Sequence, residues 1–212
     1  MYHKLQYISQ GNTIEKQLYN IHDALDSGCD WIQMRFKNQS AKNCFALAEA
    51  VKFLCEEYLA SFIVNDNVYL AQQIAADGVH LGLLDTKIEE ARAILGNTKI
   101  IGATANTFDD IQNHIENGCD YIGLGPLRFT TTKEKLSPIL GFEGYHAILQ
   151  KLKENHLDIP VYAIGGVTSE DIDQLMEIGL HGIAVSGILT KTDQKEKLIQ
   201  QLNEKLYANV VI

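Results

Sequence analysis

VYAIGGVTSEDIDQLMEIGLHGIAVSG, residues 161–187, decides the fold. Its first four residues form an apolar run, the pattern of a strand buried on both faces. Gly165-Gly166 removes side chains where such a strand has to turn. Thr168 and Ser169 are good N-caps, and Glu170 and Asp171 suit the positive end of a helix dipole. Ile172, Leu175, Met176 and Ile178 fall at helical spacing, and Gly179 stops the helix. Residues 182–186 supply a second apolar strand, closed by Gly187. Strand, helix and strand in this order call for parallel pairing through a right-handed crossover. Two neighbouring parallel strands that both end in glycine leave backbone N–H groups uncovered, and such groups attract phosphate. For either turn alone, glycine that merely permits a tight bend is the plainer reading.

The same unit recurs on working outward. Strands are predicted at 5–8, 31–34, 62–64, 78–81, 99–103 and 121–124, ahead of the two already placed. Helices are predicted at 12–26, 41–59, 68–74, 88–95, 108–116, 142–154 and 194–207. The alternation defines an α/β protein, and eight units point to a single (β/α)8 TIM barrel domain over residues 1–212. An open doubly wound sheet is the alternative. SGCDWIQMR, IAADGVHLG, ENGCDYIGLG and IGLHGIAVSG each end a helix on a small residue and begin a strand. They fall at strands two, four, six and eight, a repeat that favours closure.

Composition narrows the partners. The formal net charge of −9 over 212 residues argues against a broad nucleic-acid surface. An anionic ligand would need a local cationic pocket or a metal. A hydrophobic content of 46% suits a compact core, yet no apolar run approaches the ~20 residues that span a membrane. The opening MYHKLQYISQ lacks the basic and apolar regions of a signal peptide, so a cytoplasmic protein is expected. Cys29, Cys44, Cys55 and Cys119 form no CxxC pair and read as free thiols.

In a barrel the chemistry sits at the C-terminal ends of the strands. That rule selects Gln33, Arg35 and Lys37 after strand two, Asn65 and Asp66 after strand three, and His80 and Asp85 at strand four. It adds Thr104 and Asn106 at strand five, and Thr130, Thr131, Thr132 and Lys133 after strand six. Arg35 and Lys37 alternate with Phe36, so an extended backbone puts both cations on one side. Arginine grips two phosphate oxygens and lysine acts as a point charge. Asp66 and Asp85 come from adjacent strands, and two carboxylates with open positions fit Mg²⁺. Their ordinary reading is as caps of the helices near Val68 and Ile88. His80 reads as a packed or orienting histidine. The polar run from Phe129 through Lys133 suits closure over phosphates, and a plain surface loop is its alternative.

With these residues in view, the chain resembles the thiamine-phosphate synthase family over nearly its whole length. The resemblance rests on QMRFK (33–37), IVNDNVYLA (63–71), DGVHLGLLD (77–85), YIGLGPLRFTTTK (121–133) and AIGGVTSED (163–171), in order and spacing. It implies a Mg²⁺-dependent transferase that joins a pyrimidine diphosphate to a thiazole phosphate. It places Gln33, Met34, Arg35, Phe36, Lys37, Asn65, Thr104 and Lys133 on the pyrimidine diphosphate, with Arg35, Lys37 and Lys133 serving catalysis. It places Thr130, Thr131, Thr132, Gly166, Val185 and Ser186 on the thiazole phosphate, and Asp66 and Asp85 on the metal. The two small-molecule substrates are the partners it implies, and a homodimer is compatible with it. The chain departs from the family's usual pattern at Phe36, where Glu is usual, and at LLDTK (83–87), where Gln-Glu-Asp-Met-Pro is usual. The usual serine of strand five is Thr104, and the eighth strand is one residue short. A thiazole tautomerase of the same fold would carry a histidine near the end of strand five, where Asn106 stands. A non-catalytic sensor of phosphate ligands is the rival of another class.

Overall fold

The computed structural model describes residues 2–130 and 137–208. Its elements run β1 (Leu5–Ile8), α1 (Ile14–Asp26), β2 (Trp31–Met34), α2 (Ala41–Glu57), β3 (Ser61–Asn65) and α3 (Val68–Gln73). They continue with β4 (Gly78–Leu81), α4 (Ile88–Leu95), β5 (Ile100–Ala105), α5 (Phe108–Glu116), β6 (Tyr121–Leu124) and α6 (Gly141–Glu154). The last are β7 (Val161–Ile164), α7 (Ile172–Ile178), β8 (Gly182–Val185), α8 (Gly187–Thr190) and α9 (Lys195–Tyr207). The strands close into a barrel in sequence order, β8 pairing with β1, and every pair is parallel. The open sheet is therefore excluded, and the chain is a (β/α)8 barrel.

Strand alternation builds two apolar layers. Residues such as Tyr7, Ile32, Val64, Val79, Ile101, Ile122, Ala163 and Ile183 face outward and pack beneath the helices. The alternate residues fill the barrel: Ile8, Trp31, Ile63, Tyr121, Tyr162 and Ala184 form their own cluster. Trp31 meets Tyr121 and Tyr162 edge-on, with ring centroids 5.0 and 5.1 Å away. Each such pair contributes about 0.5–1.5 kcal/mol beyond simple burial. Tyr121 fits because β5 supplies glycine beside it, and Gly182 lets the backbone at Lys4 approach β8. A Cβ on Gly102 would lie 2.1 Å from the Tyr121 ring, and one on Gly182 would lie 2.1 Å from the Lys4 carbonyl. The aromatic plug closes the N-terminal end, so the ligand space lies at the other end.

Some local expectations change. β5 begins and ends later than predicted, which puts Thr104 inside the strand. Thr168 and Ser169 do not cap α7. That helix starts at Ile172 after Asp171, because the Asp171 carboxylate takes the Thr168 amide at 2.7 Å and holds the preceding turn outside the helix. Nor do Asp66 and Asp85 cap helices: Asn67 caps α3, and Lys87 stands before α4 without a side-chain cap bond. The short α8 was not anticipated.

Candidate active site

The open end of the barrel holds a cavity of about 960 Å³. Gln33, Arg35, Lys37 and Asn65 line one side of it, and His80 and Thr104 follow at β4 and β5. Gly165, Gly166, Val185, Ser186 and Lys191 line the β7–β8 side, and Thr130 reaches it from the loop after β6. Thr131, Thr132 and Lys133 lie outside the described residues.

Strand parity explains the β2 corner. Gln33 and Arg35 face the interior, whereas Met34 and Phe36 are buried in the outer layer under the helices. Of the residues expected at the pyrimidine diphosphate, Met34 and Phe36 thus turn their side chains away from the cavity and leave only their backbone on its side. The Arg35 backbone is fixed from both sides. Its N–H donates to Ser9 Oγ at 2.9 Å, and its carbonyl accepts from Gln17 Nε2 at 2.9 Å. Gln33 is almost fully buried at the cavity floor, and among the described residues its Nε2 has no partner. A buried amide donor without an acceptor is costly unless a ligand completes it.

Lys37 pairs with Asp66 at 2.7 Å. Asp66 itself has φ 65, a left-handed backbone that strains most side chains but that aspartate tolerates better than other types. Its N–H donates to the His80 carbonyl at 2.8 Å, locking the turn to β4. The Asp66 and Asp85 carboxyls share a hydrogen bond. Burial pushes Asp66 up, but the bonds from Asp85 and Lys37 outweigh it and leave Asp66 below the ordinary carboxylate range. Burial and the Asp66 charge raise Asp85, despite its bond from the Gly82 amide at 2.7 Å. Among the described residues, no group of three or more His, Cys, Asp or Glu side chains converges. Two carboxylates that leave most positions open suit Mg²⁺, which takes the rest from phosphate oxygens and water.

His80 is buried and held at both ring nitrogens. Its Nε2 lies 3.1 Å from Thr104 Oγ1, and its Nδ1 lies 3.0 Å from the Tyr121 hydroxyl, which also accepts from Gln6 at 3.2 Å. Asn106 does not reach the cavity lining. Its amide donates to the carbonyls of Gly125 and Pro138, at 3.0 and 2.8 Å, and so ties together the two ends of the loop after β6. Val185 turns its side chain to the outer layer, leaving its backbone beside the cavity. The Ser186 hydroxyl donates to the Ile8 carbonyl at 2.5 Å. Sequence reasoning passed over Arg128, which sat unmarked inside a quoted motif. It forms a two-pronged ion pair with Asp171, at 2.5 and 2.7 Å.

A (β/α)8 barrel whose mouth sets cationic side chains opposite glycine turns has the build of an enzyme for small phosphate-bearing substrates. The family model described as thiamine monophosphate synthase matches residues 5–189, and the chain belongs to that family. It is 74% identical to the thiamine-phosphate synthase of Flavobacterium johnsoniae over 212 residues, covering 100% of both chains. The Flavobacterium psychrophilum thiamine-phosphate synthase is 61% identical, with 97% of this chain and 100% of that one covered. Among solved structures, the thiamine phosphate pyrophosphorylase from Pyrococcus furiosus superposes with a TM-score of 0.84 at 29% identity, covering 98% and 97% of the two chains. An orotidine 5'-phosphate decarboxylase from Pyrococcus horikoshii, at 12% identity and a TM-score of 0.67 over 95% and 98% of the chains, shares the fold alone.

Proposed function

We propose that this barrel condenses 4-amino-2-methyl-5-(diphosphooxymethyl)pyrimidine with a thiazole phosphate, giving thiamine phosphate and diphosphate. It works as a Mg²⁺-dependent transferase in the cytoplasm. The observation that supports this most is the pairing of two unlike anion-binding ends in one cavity. Arg35 and Lys37 line one end and, with the Asp66–Asp85 pair that stands beside Lys37 just outside the lining, suit a diphosphate with its metal; the glycine turn after β7 suits a monophosphate. Gln33, between them at the floor, has an unmet donor for a ring nitrogen. No helix among the described residues is long and apolar enough to cross a membrane.

The reaction needs no protein nucleophile. The pyrimidine amino group donates electrons toward the methylene carbon, the C–O bond breaks, and diphosphate leaves with the electron pair. The thiazole nitrogen then attacks the carbocation. The cysteines are unsuited to intervene, since burial pushes the thiols of Cys29, Cys55 and Cys119 up to about 12. The protein's task is to neutralise the leaving group, exclude water and align two rings. Arg35 and Lys37 would hold the diphosphate, with Lys133 completing the cationic set from the loop after β6. Mg²⁺, held by Asp66 and Asp85, would supply charge neutralisation at the same phosphates. Thr104, oriented by His80, would fix the pyrimidine, and Thr130, Gly166 and the Val185-Ser186 backbone would take the thiazole phosphate.

Incubation with both substrates, with and without Mg²⁺, tests the proposal by mass detection of thiamine phosphate and by release of diphosphate. Formation of both products only with the metal is the expected result. Binding of either substrate without condensation would leave a sensor, and turnover undiminished by chelation would remove the metal.

A further inference from the structure

The turn after β7 departs from the strand in a specific way. In an extended strand successive carbonyls point to opposite sides. Gly165 and Gly166 have φ 83 and 75, and this left-handed pair swings three successive carbonyls toward the loop after β6. Each carbonyl is gripped by that loop. The Ile164 carbonyl accepts from the Leu127 N–H at 3.0 Å, and the Gly165 carbonyl accepts from the Arg128 N–H at 3.1 Å. The Gly166 carbonyl accepts from the Arg128 guanidinium at 3.0 Å.

A trans peptide sets each carbonyl opposite the N–H of the next residue. Holding these three carbonyls on the loop side therefore aims the amides of Gly165, Gly166 and Val167 the other way, and all three residues line the cavity. Among the described residues, none of these amides has an acceptor. Successive open amides of this kind form an anion-binding nest. The next amide, that of Thr168, is removed from the set by the Asp171 carboxylate, which also accepts from the Thr168 hydroxyl at 2.9 Å.

Arg128 is the part of this device that depends on a side chain. Its guanidinium lies behind the turn, outside the cavity lining, against the Phe142 ring at 5.9 Å. Asp171, almost fully buried, holds both prongs of the fork. The fit is close, since a Cβ on Gly166 would lie 2.6 Å from Arg128 Cγ. The geometry points to Arg128 and Asp171 as positioning residues for the monophosphate-bearing substrate: a strut that fixes the direction of the amide nest without touching the ligand. This rests on the reading above that the thiazole phosphate occupies the β7 turn.

The test is a steady-state comparison of Arg128→Lys, Arg128→Met and Asp171→Asn in the full-length protein. The thiazole phosphate KM should rise about tenfold or more in each, kcat should fall much less than KM rises, and the pyrimidine diphosphate KM should stay within about twofold. Arg128→Lys keeps the charge and loses the fork, so a normal thiazole phosphate KM in that variant would overturn the proposal. The Arg128→Met, Asp171→Asn double variant should be no worse than the worse single one, because both remove one strut. Titration with inorganic phosphate, followed by the amide resonances of Gly166 and Val167, should shift the wild type and leave the variants nearly unmoved. Gly166→Ala separates two failures. If it leaves the thiazole phosphate KM unchanged, the phosphate lies elsewhere; if it raises that KM and the strut variants do not, only the strut is wrong.

Discussion

The β2–β4 corner and the β7–β8 corner of the mouth face the same cavity with opposite chemistry. The first offers side chains: Arg35, Lys37 and Asn65 on the cavity, with Asp66 behind Lys37. Their placement requires a pinned backbone at Arg35 and a left-handed residue at Asp66. The second offers bare amides at Gly165, Gly166 and Val167, shaped by two glycines and a strut behind them. A side-chain site can follow a charge that grows and departs, as a leaving diphosphate does. A backbone site is rigid and suits a group that keeps its charge throughout. The contrast predicts that lesions at the first corner act on turnover, and lesions at the second act on the affinity of one substrate.

The largest effect should come from Asp66→Asn. Asparagine tolerates the left-handed backbone, so the fold should persist while the proposed Mg²⁺ site would lose an ionised ligand. Turnover at limiting Mg²⁺ should fall by about 10²-fold or more, the scale of losing one preorganised charge-stabilising group. Unchanged turnover in a Mg²⁺ titration would dissolve the assignment of the first corner. Next is Lys133→Ala, expected to cut kcat by about 10²-fold with little change in the thiazole phosphate KM. A near-normal kcat would return Lys133 to the class of solvated loop charges.

Gly166→Ala probes the second corner and should be milder in turnover. Its added methyl meets Arg128 Cγ in a backbone with positive φ, so the turn must shift. The thiazole phosphate should bind about tenfold or more weakly by calorimetry, on the scale of one lost charge-assisted hydrogen bond. The pyrimidine diphosphate should be affected less, and equal weakening of both would erase the contrast between the corners. The smallest effect is on pH stability. Burial alone would raise Asp171, but the Arg128 fork and the Thr168 bonds hold it below its ordinary value of 3.8. A depressed carboxyl stabilises the fold fully above 3.8 and loses that contribution as pH falls through its lower folded value. Asp171→Asn should therefore flatten the acid limb of the thermal-melting profile, with no change in its alkaline limb.

The two corners also differ in how well the sequence announced them. Strands buried on both faces read as short apolar runs ending in glycine or polar residues, so all eight were visible, and parity alone put Arg35 and Lys37 on one side. The same parity turns the Met34 and Phe36 side chains to the outer layer, since both alternate with Arg35. What stayed hidden depends on long-range partners. Arg128 and Asp171 lie 43 residues apart, and Asp171 read as a helix-dipole residue because nothing local named its arginine. The glycines at β4 and β8 read only as the starts of strands, and the one within β5 drew no reading. Their use, to make room for backbone and aromatic rings from neighbouring strands, appears only once the barrel closes.

The plug of Trp31, Tyr121 and Tyr162 sets the traffic through the molecule. With that end filled, reactants and products share one mouth. Gln33 lies at its floor, and the glycine turn is nearer the rim. On the proposed placement, a ring that reached Gln33 would have to arrive before the path above it is occupied. A thiazole phosphate that lands first stands over an empty floor and bars the way down. High thiazole phosphate should therefore slow the enzyme, and raising the pyrimidine concentration should relieve the block.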